Sequence, residues 1–233
     1  MMSPQVQELA AAGHDVAYTF CTADPGLRVG TAHRVELAGG AGLAECLAAA
    51  RPDAVVHSAA VSQPGVCAAD PAAAMAVNVP TALLDALAVA APSALFVLIS
   101  TDQVYDGTRA FNVEEDAVRG QPANAYGASK RAAEAAVAAR WPRHAVLRPS
   151  AIVGPPPPGA PVSRPLFLQW LDGALAGGTP TEMFEDEFRS VVYVGDVCAA
   201  VAALLRLQAA GRDPPHRVIN LGGPERRVAR AAT

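Results

Sequence analysis

Short apolar runs bounded by turn residues alternate along the chain with alanine-rich stretches of helical period. Residues 15–20 (Asp-Val-Ala-Tyr-Thr-Phe) read as a strand, preceded by Gly13 as a helix-ending residue. A helix over residues 42–50 leads into a buried strand over 53–58. Residues 70–90 read as one long helix, with Asp70 as its cap and Pro71 in its first turn. The run 95–100 (Leu-Phe-Val-Leu-Ile-Ser) is short, apolar and β-branched enough for a central parallel strand. A turn-rich loop follows, then a helix from about Ala125 to Arg140 and a strand from His144 to Leu147. Two more strands are expected over 189–194 and 217–221, with a helix over 197–207 capped by Asp196 between them.

Strands that alternate with helices in this way predict an α/β fold, a doubly wound parallel sheet with helices on both faces. Residues 154–165 break the pattern with four consecutive prolines, Pro155–Pro158, and two more at 161 and 165. They predict a stiff connection. The organisation expected is a sheet domain over 1–153 and a small lobe over 154–233, interleaved with the last sheet strands.

Composition narrows the function. Hydrophobic residues make up 52% and charged ones 17% of 233 residues, which excludes a disordered chain. A net charge of −4 and few aromatics provide neither the basic face nor the stacking platform of a nucleic-acid binder. No run reaches the roughly 18 uninterrupted apolar residues of a membrane span, and the first residues have no signal-peptide pattern. Cys21, Cys46, Cys67 and Cys198 contain no CxxC pair and read as free thiols in a reducing compartment, with no metal site. The cytoplasm is the expected location.

The chemistry centres on Tyr126-Gly-Ala-Ser-Lys130. Residues i and i+4 share one helix face, so both side chains reach one cleft. A lysine ammonium beside a tyrosine favours the phenolate and lowers its pKa toward a useful range for acid–base work. The preceding strand ends at Ser100 and Thr101, and the carboxyl ends of parallel strands are where such sheets place ligands. The hydroxyl of Thr101 is positioned to bond the same substrate oxygen as Tyr126. The earlier strand runs into Ser58-Ala59-Ala60, small enough for close approach of a cofactor.

These segments also carry a resemblance. Val55-Val-His-Ser-Ala-Ala60, Asn78-Val-Pro-Thr81, Ile99-Ser-Thr-Asp-Gln-Val-Tyr-Asp-Gly107, Tyr126–Lys130 and Leu147-Arg-Pro-Ser150 occur in the order found in extended short-chain dehydrogenases/reductases. Within that group the chain most resembles dTDP-4-dehydrorhamnose reductases and the regulatory β-subunit of methionine adenosyltransferase. The resemblance implies a Rossmann-like fold and a catalytic triad of Thr101, Tyr126 and Lys130. It implies that Ala59, Ala60, Ser100 and Lys130 line the dinucleotide, and that Arg189 meets the phosphates of a nucleotide sugar. A bidentate guanidinium suits that diphosphate. Asn78 is expected to support the active-site helices and His57 to be structural, and Glu36 reads as a solvated acid, with the adenine edge as its alternative role. Cys21-Thr22, at the end of the first strand, lacks the acid that holds a ribose hydroxyl, which favours NADP(H) over NAD(H), with Arg28 nearby. Reduction of a keto group on a nucleotide sugar is the activity implied; a regulatory partner of methionine adenosyltransferase is the alternative.

One part of the family pattern is missing. No GxxGxxG turn occurs, and the first recognisable strand matches the family's second, with residues 3–13 resembling the back half of its first helix. The missing strand would lie mid-sheet, between the strands containing Val16 and Val55. The expectation is a piece of a longer protein, against a shortened protein completed by a partner. Weak or absent dinucleotide binding is expected, because the glycine turn carries the backbone donors for the pyrophosphate.

Overall fold

The computed structural model describes residues 2–109, 111–155, 166–178, 180, 187–224 and 227–228. The prolines at 156–158, 161 and 165 lie outside them. In chain order the elements are α1 (Met2–Ala11), β1 (Ala17–Phe20), β2 (Thr31–Arg34), α2 (Leu43–Ala50), β3 (Ala54–His57), α3 (Pro64–Ala69), α4 (Pro71–Asn78), α5 (Thr81–Ala90) and β4 (Leu95–Ile99). Two 3₁₀ turns, Asp102–Val104 and Glu114–Val118, lead to α6 (Ala125–Arg140) and β5 (His144–Pro149). Then come β6 (Ile152–Val153), α7 (Phe167–Ala176), β7 (Phe188–Arg189), β8 (Val192–Tyr193), α8 (Val194–Ala209), β9 (Val218–Leu221) and β10 (Arg227–Val228).

The central sheet has the parallel order β3-β4-β5-β9. β4 and β5 are buried along their whole length, which is why β4 reads as a continuous apolar run and β5 has an apolar centre, Ala145–Leu147. Alternate side chains feed two cores. Phe96 and Leu98 meet α2, α5 and α6 on one face, whereas Leu95, Val97 and Ile99 meet α8 on the other. The strand β1 pairs with β2 in a separate two-stranded parallel sheet. This piece shares both cores with the larger sheet: Val35 and Val55 join the first, Val16 and Val56 the second. Among the described residues no strand bonds β1 to β3, so the sheet is divided where the sequence places its missing strand.

Three elements differ from expectation. The helix over 70–90 is two helices, because Pro80 has no N–H to continue the ladder and holds Val79 extended at φ −89°, ψ 113°. Its start is as expected, with Asp70 Oδ1 accepting from Ala73 N at 2.9 Å. The strand over 189–194 is instead β7 and β8, and α8 already begins at Val194, so Asp196 sits inside its first turn instead of capping it. The pairing partner of β1, β2, has too little apolar alternation (Thr-Ala-His-Arg) to be legible. Residues 71–90 are apolar enough to cross a membrane by length and composition alone. They are interrupted at Pro80, hold buried Asn78, and pack against α6 and α2.

The candidate catalytic site

The site is assembled where α6 begins. Asn124 caps the helix by accepting from Gly127 N at 2.9 Å, and its amide donates to Gln103 Oε1 at 2.6 Å. The start of α6 is thereby tied to the turn that follows Thr101. Gly127 is required by closeness: a Cβ there would overlap the Gln103 carbonyl and press on Pro122. Gly127→Ala is therefore expected to destabilise the fold by about 1–3 kcal/mol, read as a lower urea midpoint, although alanine is the better helix former.

From the other side Asn78 joins α4 to α6. Its amide donates to Ser129 Oγ at 2.8 Å and to Val61 O at 3.0 Å, while its oxygen accepts from Val61 N at 2.7 Å. This is the supporting role the sequence suggested. The Ser129 hydroxyl in turn donates to the Tyr126 carbonyl at 2.7 Å.

Lys130 is 1% exposed, and among the described residues its ammonium has no hydrogen-bond partner. Burial pushes its pKa down to about 8, against the opposing pull of the Glu134 carboxylate. His57, 4% exposed at the end of β3, has an equally unpartnered Nε2. Burial, followed by the charge of Lys130, pushes its pKa down to about 3, so it is neutral. Tyr126 is half-buried one turn before Lys130. Thr101 is buried; its hydroxyl accepts from Gln103 N at 3.2 Å and makes a long donation to Asp102 Oδ1 at 3.4 Å.

Two connections were not legible in sequence. Glu134 extends the i, i+4 ladder of Tyr126 and Lys130, a spacing that gave the available signal. It takes both ends of Arg148, from Nε at 2.9 Å and Nη2 at 2.6 Å, and accepts from Ser100 Oγ at 2.5 Å. Ser100, expected at the cofactor, thus has its hydroxyl committed beneath α6. Arg148 also donates to Tyr105 Oη at 2.9 Å, and Tyr105 donates to Asn220 Oδ1 at 2.6 Å. The second connection is Asp102, which accepts from Arg189 Nη2 at 2.8 Å and from Ser150 Oγ at 2.6 Å. Arg189 therefore lies beside Thr101, although the two are far apart in sequence.

The remaining candidates are simpler. Ala59 is exposed and Ala60 half-buried just beyond β3. Glu36 is half-buried, and its carboxylate accepts from Ala38 N and Gly39 N, closing its own turn. Arg28 is exposed, whereas Arg34 donates from Nε to Cys21 O at 3.2 Å, which brings a guanidinium to the end of β1. The four cysteines are free thiols.

An unpartnered ammonium buried at the carboxyl end of a parallel sheet, one turn from a tyrosine, fits the hydroxyls of a dinucleotide. The fold and this arrangement define the Rossmann-like class of NAD(P)-dependent oxidoreductases. More narrowly, the chain belongs to the NAD dependent epimerase/dehydratase family, whose model matches residues 5–222.

Among relatives, a probable low-salt glycan biosynthesis reductase of Haloferax volcanii is 30% identical over 88% of this chain and 67% of its own length. A dTDP-4-dehydrorhamnose reductase of Burkholderia thailandensis is 42% identical over 41% of this chain and 32% of its own. The methionine adenosyltransferase 2 subunit beta of Rattus norvegicus is 38% identical over 45% of this chain and 30% of its own. Of solved structures, MoeE5 in complex with UDP-glucuronic acid and NAD is 26% identical with a TM-score of 0.79, covering 97% of this chain and 74% of that one.

Proposed function

We propose that the protein reduces a keto group on a nucleotide-activated sugar with NADP(H), in the manner of a dTDP-4-dehydrorhamnose reductase. The observation that carries the reading is the buried, unpartnered ammonium of Lys130 on the same helix face as Tyr126. Lys130 and the small residues Ala59 and Ala60 would hold the dinucleotide, whose nicotinamide supplies the hydride. The Tyr126 hydroxyl gives a proton to the carbonyl oxygen, and the Lys130 charge stabilises the phenolate left behind. The Thr101 hydroxyl orients that oxygen.

Arg189, poised beside Thr101 by Asp102, offers a guanidinium to the sugar diphosphate. The absence of an acid at Cys21-Thr22, together with Arg34 at the end of β1, supports NADP(H) as the preferred cofactor. The 233 residues contain no glycine-rich turn for the pyrophosphate, so the binding expected of them alone is weak.

The test is NADPH consumption with dTDP-4-dehydro-6-deoxy-L-mannose at saturating cofactor. Turnover is expected, and Thr101→Ala should lower kcat/KM about tenfold, the value of one hydrogen bond made to the reacting oxygen. The second reading is a non-catalytic partner of methionine adenosyltransferase, favoured by the identity to the rat subunit. No turnover, together with co-purification of a methionine adenosyltransferase, would replace the first reading with the second.

A further inference from the structure

Lys130 is the only lysine in the chain; the other 17 of its 18 basic residues are arginines. Where a surface cation suffices, this sequence uses arginine, so an ammonium is retained at one enclosed position. There its three protons have no acceptor among the described residues. Three other buried nitrogens lack a partner among the described residues, on Gln5, His57 and Arg189, and of these His57 Nε2 lies within electrostatic reach of the ammonium.

The alternation of the sheet explains their meeting. His57 is in register with Leu98 on β4, and both project to the face that α6 covers, two residues before Ser100 reaches Glu134 on the same helix. The His57 ring packs against Phe96 with centroids 6.1 Å apart, which fixes its plane. Three other ionisable groups near α6 are engaged by protein partners. Glu134 is held by Ser100 and Arg148, Asp102 by Ser150 and Arg189, and the Cys67 thiol donates to Val61 O.

A hydroxyl group needs both a donor and an acceptor, and an ammonium can only donate. We propose that His57 is the acceptor half of a two-point hydroxyl site: Lys130 Nζ donates to a hydroxyl oxygen, and that hydroxyl donates its proton to His57 Nε2. Solvent supplies the hydroxyl in the free protein. On the reductase reading above, on which this identification of the ligand rests, a ribose hydroxyl of the dinucleotide supplies it. His57 is thus a positioning residue, holding the ligand hydroxyl and, through it, the ammonium one turn from Tyr126.

The single lysine makes the test direct. In protein carrying isotope-labelled lysine, one side-chain resonance reports Lys130, titrating near pH 8. His57→Phe preserves the ring packing but removes the acceptor, and should lower that midpoint by about one unit. His57→Gln, which keeps an acceptor, should restore most of the shift. If His57 only fills space, the phenylalanine variant leaves the midpoint unchanged, and the proposal is overturned. Should that variant not fold, His57→Leu provides the same comparison.

NADPH is then added to the same samples. Its dissociation constant should rise about tenfold in His57→Phe and recover in His57→Gln, the effect of one hydrogen bond. Because binding is expected to be weak, NADPH is titrated to its solubility limit; a wild-type resonance that still does not move defeats the reductase reading, while the midpoints in free protein still decide the role of His57.

Discussion

Lys130→Met is expected to abolish turnover and yet make the protein melt higher at pH 7. On the proposed reductase mechanism the catalytic loss is at least about a hundredfold, because the Tyr126 proton donor would no longer be tuned by a neighbouring charge. The gain in stability follows from burial. The pKa of Lys130 falls from 10.5 in an exposed setting to about 8 when folded. Between these values the unfolded chain binds a proton that the folded one does not, so stability rises with pH through that window. Below about pH 8 the folded protein carries the full penalty of an enclosed ammonium.

Methionine fills the same volume without charge, removing a penalty on the order of 3 kcal/mol. The melting temperature at pH 7 should rise by roughly 5 °C or more, and the difference from wild type should close above about pH 10.5. Thermal melts at pH 7 and pH 11 check both parts. A variant that melts lower than wild type at pH 7 would show that the ammonium has a stabilising partner in the folded protein.

Glu134→Ala is the second large effect, of opposite sign. The Glu134–Arg148 pair is enclosed, with side chains 10% and 6% exposed, and its hydrogen bonds run on to Ser100, Tyr105 and Asn220. Burial alone would lower the pKa of Arg148, but the Glu134 hydrogen bonds and charge outweigh it and the pKa is raised. Removing the carboxylate leaves a guanidinium buried without its counter-charge, at a cost of about 3–5 kcal/mol. The expected fall in melting temperature is roughly 10 °C. Replacing both partners, Glu134→Leu with Arg148→Met, should recover most of it, since an apolar pair leaves no charge unpaired. A single variant within about 1 kcal/mol of wild type would mean that α6 is anchored elsewhere.

Both predictions concern what α6 does besides presenting Tyr126. The helix is fixed at its start by Asn124 and Gly127 against the turn after β4, in its middle by Asn78 on Ser129, and further along by Glu134 on Arg148. These ties come from α4, β4, β5 and the turn at Gln103. A reaction that requires a tyrosine placed to within a fraction of an ångström needs such a support, because one helix face alone leaves rotation and sliding open.

The sequence by itself determined the α/β class, the strands at the centre of the sheet, the pairing of Tyr126 with Lys130, and the absence of a glycine-rich turn. Each of these follows from local rules: continuous apolar runs make buried strands, a spacing of four puts two side chains on one helix face, and a motif is present or not. Only the tertiary structure decided that the helix over 70–90 breaks at Pro80, that Ser100 serves Glu134, and that Asp102 holds Arg189 beside Thr101. It also brought two buried, unpartnered nitrogens, those of His57 and Lys130, within electrostatic reach of each other. Partners 34 to 87 residues apart leave no period in the sequence. Their meeting is set by strand register and by which helix covers which face, and these exist only once the sheet has formed.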